Sequence, residues 1–344
     1  MKLAQKSPAA PDAGHPQERR AFLYIFLLAV VLTLVVELFN HKTFTDGADS
    51  FLEFVGGNPL AVVVNVALVL ATLSPALFLR RRVFWCALIS FIWIVGGAVN
   101  GFILLSRMTP FTVADLTVFN TGLDTLPNYL STKYIVMLAV ALVILVVGLI
   151  LLFWKGPRND YPLRHRMAAG LLAVVLCGGL LGGSWALAFR LGYLSNTFAN
   201  LAFAYEDYGF SYCFLQTWLN KGIRRPENYS AESVQKLRQE AEAGATEVNA
   251  DPQTDVNVIY VQLESFIDPK EITDLQLSED AVPTWTKLTE EYSSGYLTVP
   301  VVGAGTANTE CEVLTGMSTK LFGPGEYPYQ TRLMDRTVES VAYD

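Results

Sequence analysis

Two oxygen-bearing side chains stand where this chain could do chemistry on a charged group. Glu264 ends the stretch VNVIYVQLE, and Thr306 directly follows Gly303-Ala304-Gly305. The apolar, β-branched run Val256, Val258, Ile259, Val261 predicts a buried strand of an α/β sheet that delivers the Glu264 carboxylate. A second short strand is expected over Tyr296 to Val302. After the glycine turn, a helix should open at Thr306 and run through Glu310, Val313 and Leu314. Open α/β sheets build their sites at the carboxyl ends of strands. A hydroxyl at a helix N-terminus faces unpaired backbone N–H groups and the positive end of the helix dipole, which suits an anionic phosphate. Glu264 and Thr306 at two such ends could share one divalent metal, lowering the proton affinity of the hydroxyl and polarising a phosphoryl group.

Each of these residues also has a plainer reading. Glu264 alone is a solvated or ion-paired carboxylate; metal ligation becomes the better reading only beside GAGTANTE. Thr309 equals Thr306 in composition, but Thr306 immediately follows the glycine turn, where a side chain is best exposed to a ligand. Glu310 and Glu312 lie within two turns on the same helix; Glu310 is a secondary candidate, to pair with the helix start or orient other groups. A short glycine-rich loop lets backbone approach a phosphate, yet taken alone it is a weak signal.

The elements that must position these residues are foreshadowed by composition. The chain is 52% hydrophobic and 17% charged, with the apolar residues concentrated in the first part, which excludes an ordinary soluble domain. A net charge of −7 argues against nucleic acid as a partner. Four scattered cysteines imply neither a metal motif nor a disulfide framework; Cys213 and Cys311 are expected as buried free thiols. Residues 1–20 read as a polar cytoplasmic tail and 21–190 as a five-span transmembrane domain. The runs are Ala21–Phe39, Leu60–Leu79, Val83–Leu105, Tyr134–Trp154 and Met167–Phe189, each near or above the ~20 residues that cross ~30 Å of hydrocarbon. Arg80, Arg81 and Arg82 fall between spans two and three, and Lys155, Arg158, Arg164 and Arg166 between four and five. The alternate loops carry only Lys42, Arg107 and Lys133, so the N-terminus is expected in the cytoplasm and everything after about residue 190 outside.

Polar residues within these runs draw notice. Glu37 is a functional candidate by default but sits near the end of its run, where it can snorkel to headgroups in a structural role. Asn65 and Asn100 read as interhelical hydrogen-bonding groups. Pro110 to Asn120 reads as a short amphipathic piece at the outer interface. Residues 191–225 are rich in Tyr, Phe and Trp, which predicts one or two interfacial helices, either a platform near the headgroups or a plain connector. Residues 226–344 are then the first part of an outer α/β domain, with a helix capped by Ser230 over Ala231 to Ala243 and another opening at Pro283.

VQLESF and GAGTANTECEVLTG, behind five spans, resemble the lipoteichoic acid synthase family, membrane phosphoglycerol transferases with an alkaline phosphatase/sulfatase-like outer domain. The resemblance implies that Glu264 is a metal ligand, and that Thr306 is both nucleophile and ligand of a divalent metal such as Mn²⁺. It further implies phosphatidylglycerol as lipid donor, a glycolipid or polyglycerolphosphate chain as acceptor, and a cell-membrane location. The family's remaining metal ligands, an Asp and a His, and its substrate-binding histidines lie downstream of the threonine motif. Here His15, His41 and His165 all precede it. The chain is therefore expected to be the N-terminal part of a longer enzyme, inactive as given. The alternatives are a non-catalytic membrane relative with a binding or regulatory role, or a phosphoethanolamine transferase or sulfatase-type hydrolase using similar ligands.

Overall fold

An apolar run in hydrocarbon has no hydrogen-bonding partner but its own backbone, so it folds as a helix. In the computed structural model each expected span does so. The structure describes residues 16–106, 109–117, 127, 130–159, 162–196, 198, 200–220, 222, 226–244, 259–263, 266–299, 306–330, 332–334 and 337–341. Its helices are α1 (Pro16–Asn40), α2 (Thr43–Asp46), α3 (Asp49–Gly57), α4 (Pro59–Leu73), α5 (Arg82–Ser106), α6 (Val113–Thr117), α7 (Thr132–Lys155), α8 (Leu163–Arg190), α9 (Leu201–Tyr208), α10 (Phe210–Leu219), α11 (Ala231–Gly244), α12 (Pro283–Glu291) and α13 (Thr306–Thr315). Five segments are long and apolar enough to cross a membrane: Arg20–Asn40, Pro59–Phe78, Arg82–Leu105, Thr132–Lys155 and Leu163–Arg190. They match the expected runs closely, and their presence makes this a membrane protein.

By contact, the chain falls into two units, residues 1–222 with 301–344, and residues 223–300. In the first unit α4 is the central helix. Asn58 caps it by accepting from the Ala61 amide, Pro59 supplies its first turn, and Pro75 tightens its end into a 3₁₀ turn over Ser74–Phe78. One cluster packs Ile25, Ala29 and Leu32 of α1 against Val69, Leu70 and Leu73 of α4 and Ala173 and Cys177 of α8. A second gathers Val36, Val64 and Leu68 under Tyr205, Phe210 and Tyr212. Helix α7 has no buried residue and meets α5 edgewise, its Phe153 ring 5.0 Å from that of Phe84.

The aromatic segment after the last span forms two helices, α9 and α10, and several of its rings are buried within the protein. Tyr205, Phe210 and Tyr212 are buried on the ends of α1 and α4, while Phe203 and Trp218 stay exposed. Polar groups of the spans fasten these helices. Asn65 donates to the Tyr208 carbonyl at 2.7 Å and accepts from the Tyr212 amide at 2.9 Å. Asn100 donates to Asn40 at 2.9 Å and accepts from the Phe111 amide at 2.8 Å, while Tyr205 donates to the Phe111 carbonyl at 2.7 Å. The expectation of interhelical hydrogen bonds for Asn65 and Asn100 holds. Glu37 departs from expectation: it does not snorkel but is fully buried, because the Phe210 amide opening α10 and the Asn40 side chain both donate to it, at 2.9 and 3.0 Å. Gly209, at φ 85°, makes the sharp turn between α9 and α10; any larger residue would strike Asn65 and Glu37.

The second unit contains α11, capped as expected by the Ser233 amide donating to Ser230 Oγ at 3.1 Å, and α12, with Pro283 in its first turn. Lys270 and Thr286 both donate to Asp280 at 2.7 Å, and the Lys270 contact first of all holds the Asp280 carboxyl down at about 2. Among the described residues there is no strand. The two segments expected as strands carry no regular secondary structure and are exposed over 259–263 and 296–299, with Ile259 at 84% and Tyr296 at 91% exposure. A strand has no hydrogen bonds of its own and forms only beside a partner, and neither segment has one among the described residues.

Candidate functional site

Thr306 is the first residue of α13, as the sequence predicts, and is half-buried. Glu264 and the glycine turn expected at 303–305 lie outside the described residues. The structure therefore presents one member of the expected pair.

The helix behind Thr306 is held by its own side chains. Cys311 is fully buried on the inner face, and the Thr315 hydroxyl turns back to the Cys311 carbonyl. Glu312 is not a site residue but an anchor. It accepts from the Thr319 amide at 2.6 Å, the Thr319 hydroxyl at 2.9 Å and the Ser318 hydroxyl at 3.2 Å, fixing the 3₁₀ turn Thr319–Leu321. Burial alone would raise its carboxyl, but the Thr319 amide and the two hydroxyls outweigh it and hold the group below the usual carboxylate range. Asn308, one turn into the helix, donates to the Glu326 carbonyl at 3.2 Å, and Arg332 pairs with the Glu326 carboxylate at 2.9 Å. The Val341 amide closes the segment onto the Leu314 carbonyl at 2.9 Å. Thr309 and Glu310 are half-buried on the same helix. Burial raises the nearby Tyr329 hydroxyl, with the charge of Glu310 adding to the effect.

This segment is seated on the juxtamembrane layer of the same unit. Gly325 adopts φ 75°, and a Cβ there would lie 2.7 Å from Thr112 Cγ2 and 3.2 Å from Leu201 Cδ2. Thr112 is itself fixed, its amide and hydroxyl both donating to Asp115 at 2.8 and 2.9 Å at the start of α6, within the expected amphipathic piece. The segment around Gly325, to which Asn308 of α13 is tied through the Glu326 carbonyl, thus meets Thr112 before α6 and Leu201 of α9.

Among the described residues, no group of three His, Cys, Asp or Glu side chains converges. Glu264, the expected second ligand, is outside them. The cysteines are all free, Cys213 and Cys311 buried, as expected.

Sequence reasoning missed the residues that build the platform: Asn40, Asn58, Tyr205 and Gly209. Asn58 carried a usable signal, since Asn before Pro at the start of an apolar run reads as a helix cap. Gly209 between two aromatic stretches marks a turn, but nothing local shows that Asn65 and Glu37 close over it.

No family model and no solved structure matches this chain. Over 126 residues it is 29% identical to a protein of Rhizobium meliloti (strain 1021) named "Putative cyclic beta-1,2-glucan modification protein". The match covers 37% of this chain and 18% of the length of that relative.

Proposed function

We propose that this chain belongs to a membrane-anchored phosphoglycerol transferase that uses Thr306 as its nucleophile. The observation that carries the reading is Thr306 at the start of α13, a helix tied through Asn308 to the segment whose Gly325 meets Thr112 and Leu201. In the first step the Thr306 hydroxyl attacks the phosphorus of phosphatidylglycerol. The bond from phosphorus to the diacylglycerol oxygen breaks, diacylglycerol leaves with the proton that Thr306 gives up, and glycerophospho-threonine remains. In the second step an acceptor hydroxyl attacks the same phosphorus, the bond to Thr306 Oγ breaks, and Thr306 regains a proton. The acceptor is a glycerol or sugar hydroxyl. The relative's printed name speaks of glucan modification, which supports a glucan hydroxyl for this chain.

In this reading the basic residues at 80–82 and 155–166 face the cytoplasm and Thr306 works outside, where residues 226–344 contribute to an alkaline phosphatase/sulfatase-like domain. The resemblance of the VQLESF and GAGTANTECEVLTG motifs adds Glu264 as partner of Thr306 at a divalent cation such as Mn²⁺. The test uses the full-length gene product in vesicles of headgroup-labelled phosphatidylglycerol with a β-glucan supplied. Wild type should release diacylglycerol and label the glucan; Thr306→Ala should insert into the membrane equally well and do neither. Diacylglycerol release that survives in Thr306→Ala removes Thr306 from the role.

A further inference from the structure

A second set of functional groups lies at the C-terminal end of α1, independent of the reading given to Thr306. The side chains of Glu37 and His41 are 1% and 0% exposed, with His41 Nε2 3.7 Å from Glu37 Oε2. On the other side of the ring, His41 Nδ1 is 2.8 Å from Ser50 Oγ, and the Ser50 hydroxyl donates to Glu206 Oε1 at 2.7 Å. Ser50 has one hydroxyl proton, and it goes to Glu206. The contact between His41 and Ser50 therefore requires Nδ1 to carry the ring hydrogen and donate it. In that tautomer Nε2 is a bare lone pair, and it has no hydrogen-bond partner. An ionised Glu37 would be an acceptor only, with Oε2 already taking a bond from Asn40 and Oε1 one from the Phe210 amide. Two acceptors would then face each other in a buried site, which is unfavourable unless a hydrogen lies between them.

We infer that Glu37 and His41 form a proton-binding site, in which a single proton is held on the Glu37 carboxyl, facing the bare lone pair of His41 Nε2 at 3.7 Å. The two side chains also tie α1 to the juxtamembrane helices. Glu37 accepts from the first amide of α10, and His41 reaches α9 through Ser50 and Glu206. The His41 ring does not supply a second proton near neutrality, because burial holds it at about 4 against the raising influence of Glu206. The titratable groups coupled to this site are Glu206 of α9, whose charge acts on His41, and the Cys213 thiol of α10, on which Glu37 acts; Asp207 of α9 and Glu53 of α3 stand one step further out, Asp207 acting on Cys213 and Glu53 on Asp207. From α4 and α5 come Asn65 and Asn100, which do not titrate. Glu206 is exposed, so the site connects to solvent through Ser50.

The test uses the full chain in lipid nanodiscs. At pH 7 the infrared carbonyl band of a protonated, hydrogen-bonded carboxyl should be present in wild type and absent in Glu37→Gln, a neutral isostere that can still accept from Phe210. In His41→Leu the band should move, because the carboxyl no longer faces the imidazole lone pair. A wild-type spectrum whose protonated-carboxyl band is unchanged by Glu37→Gln overturns the proposal. Should either variant fail to fold, the ¹⁵N spectrum of the wild-type histidines decides. Of His15, His41 and His165, His41 should be neutral with its hydrogen on Nδ1, and a hydrogen on Nε2 instead overturns the proposal.

Discussion

Replacing Gly209 by alanine should be among the most damaging single changes in this chain, although it adds one methyl group. Gly209 sits at φ 85°, ψ 157°, a region almost closed to other residues, and forcing alanine into it costs about 1–3 kcal/mol. The new Cβ would stand 2.6 Å from Asn65 Nδ2 and 2.9 Å from Glu37 Oε1, so both side chains must withdraw. Their withdrawal strains three hydrogen bonds: Asn65 to the Tyr208 carbonyl, the Tyr212 amide to Asn65, and the Phe210 amide to Glu37. At about 0.6 kcal/mol each, an average measured inside membrane bundles, these add about 2 kcal/mol, for a total of at least about 3 kcal/mol. Gly182→Ala provides the control, since a Cβ there meets nothing within 4 Å and alanine is the better helix former. Chemical unfolding of the full chain in micelles should show the large loss for Gly209→Ala and none for Gly182→Ala. A Gly209→Ala protein within about 1 kcal/mol of wild type, or equal losses in the two variants, would refute the account of the platform.

Other perturbations follow from the same contacts. His41 has a folded value of about 4 against an ordinary 6.5, so the unfolded chain binds more protons between those values; stability is full above about pH 6.5 and falls as the pH drops toward 4. At 1.36 kcal/mol per pH unit the loss amounts to about 3 kcal/mol, and unfolding midpoints measured across that range should flatten in His41→Gln. Glu312→Ala should leave the Thr319 amide without its acceptor; hydrogen exchange should speed at Thr319 while α1, α4 and α5 keep their protection, and equal protection at Thr319 would contradict the anchoring role.

The membrane helices were legible because their signal is local. Twenty apolar residues in a row define a span without reference to any other part of the chain, and Asn58-Pro59 marks the start of one of them. The helix at Thr306 was equally legible, since the glycine turn before it and the polar first turn fix its start. The burial of Glu37 was not. Its partners, Phe210 and His41, lie far along the chain and one turn away respectively, and only folding of α10 onto α1 brings the Phe210 amide to it. The aromatic residues 205–212 look interfacial by type, yet Tyr205 and Tyr212 find acceptors in Phe111 and Ser195 that allow their rings to be buried. A sheet is the least local element of all, since each strand depends on neighbours the local pattern does not specify. For Glu264, the sequence supplies an expectation and the described residues supply no geometry.

The central claim is that Thr306 carries the glycerophosphoryl group. The direct measurement is the intact mass of the Thr306 peptide after the full-length gene product has met phosphatidylglycerol vesicles, with Mn²⁺ supplied and no acceptor to turn the intermediate over. The account predicts a glycerophosphate adduct on Thr306, absent in Thr306→Ala and discharged when a glucan is added. An unmodified Thr306 in protein that releases diacylglycerol, or an adduct found on Thr309 instead, would contradict it.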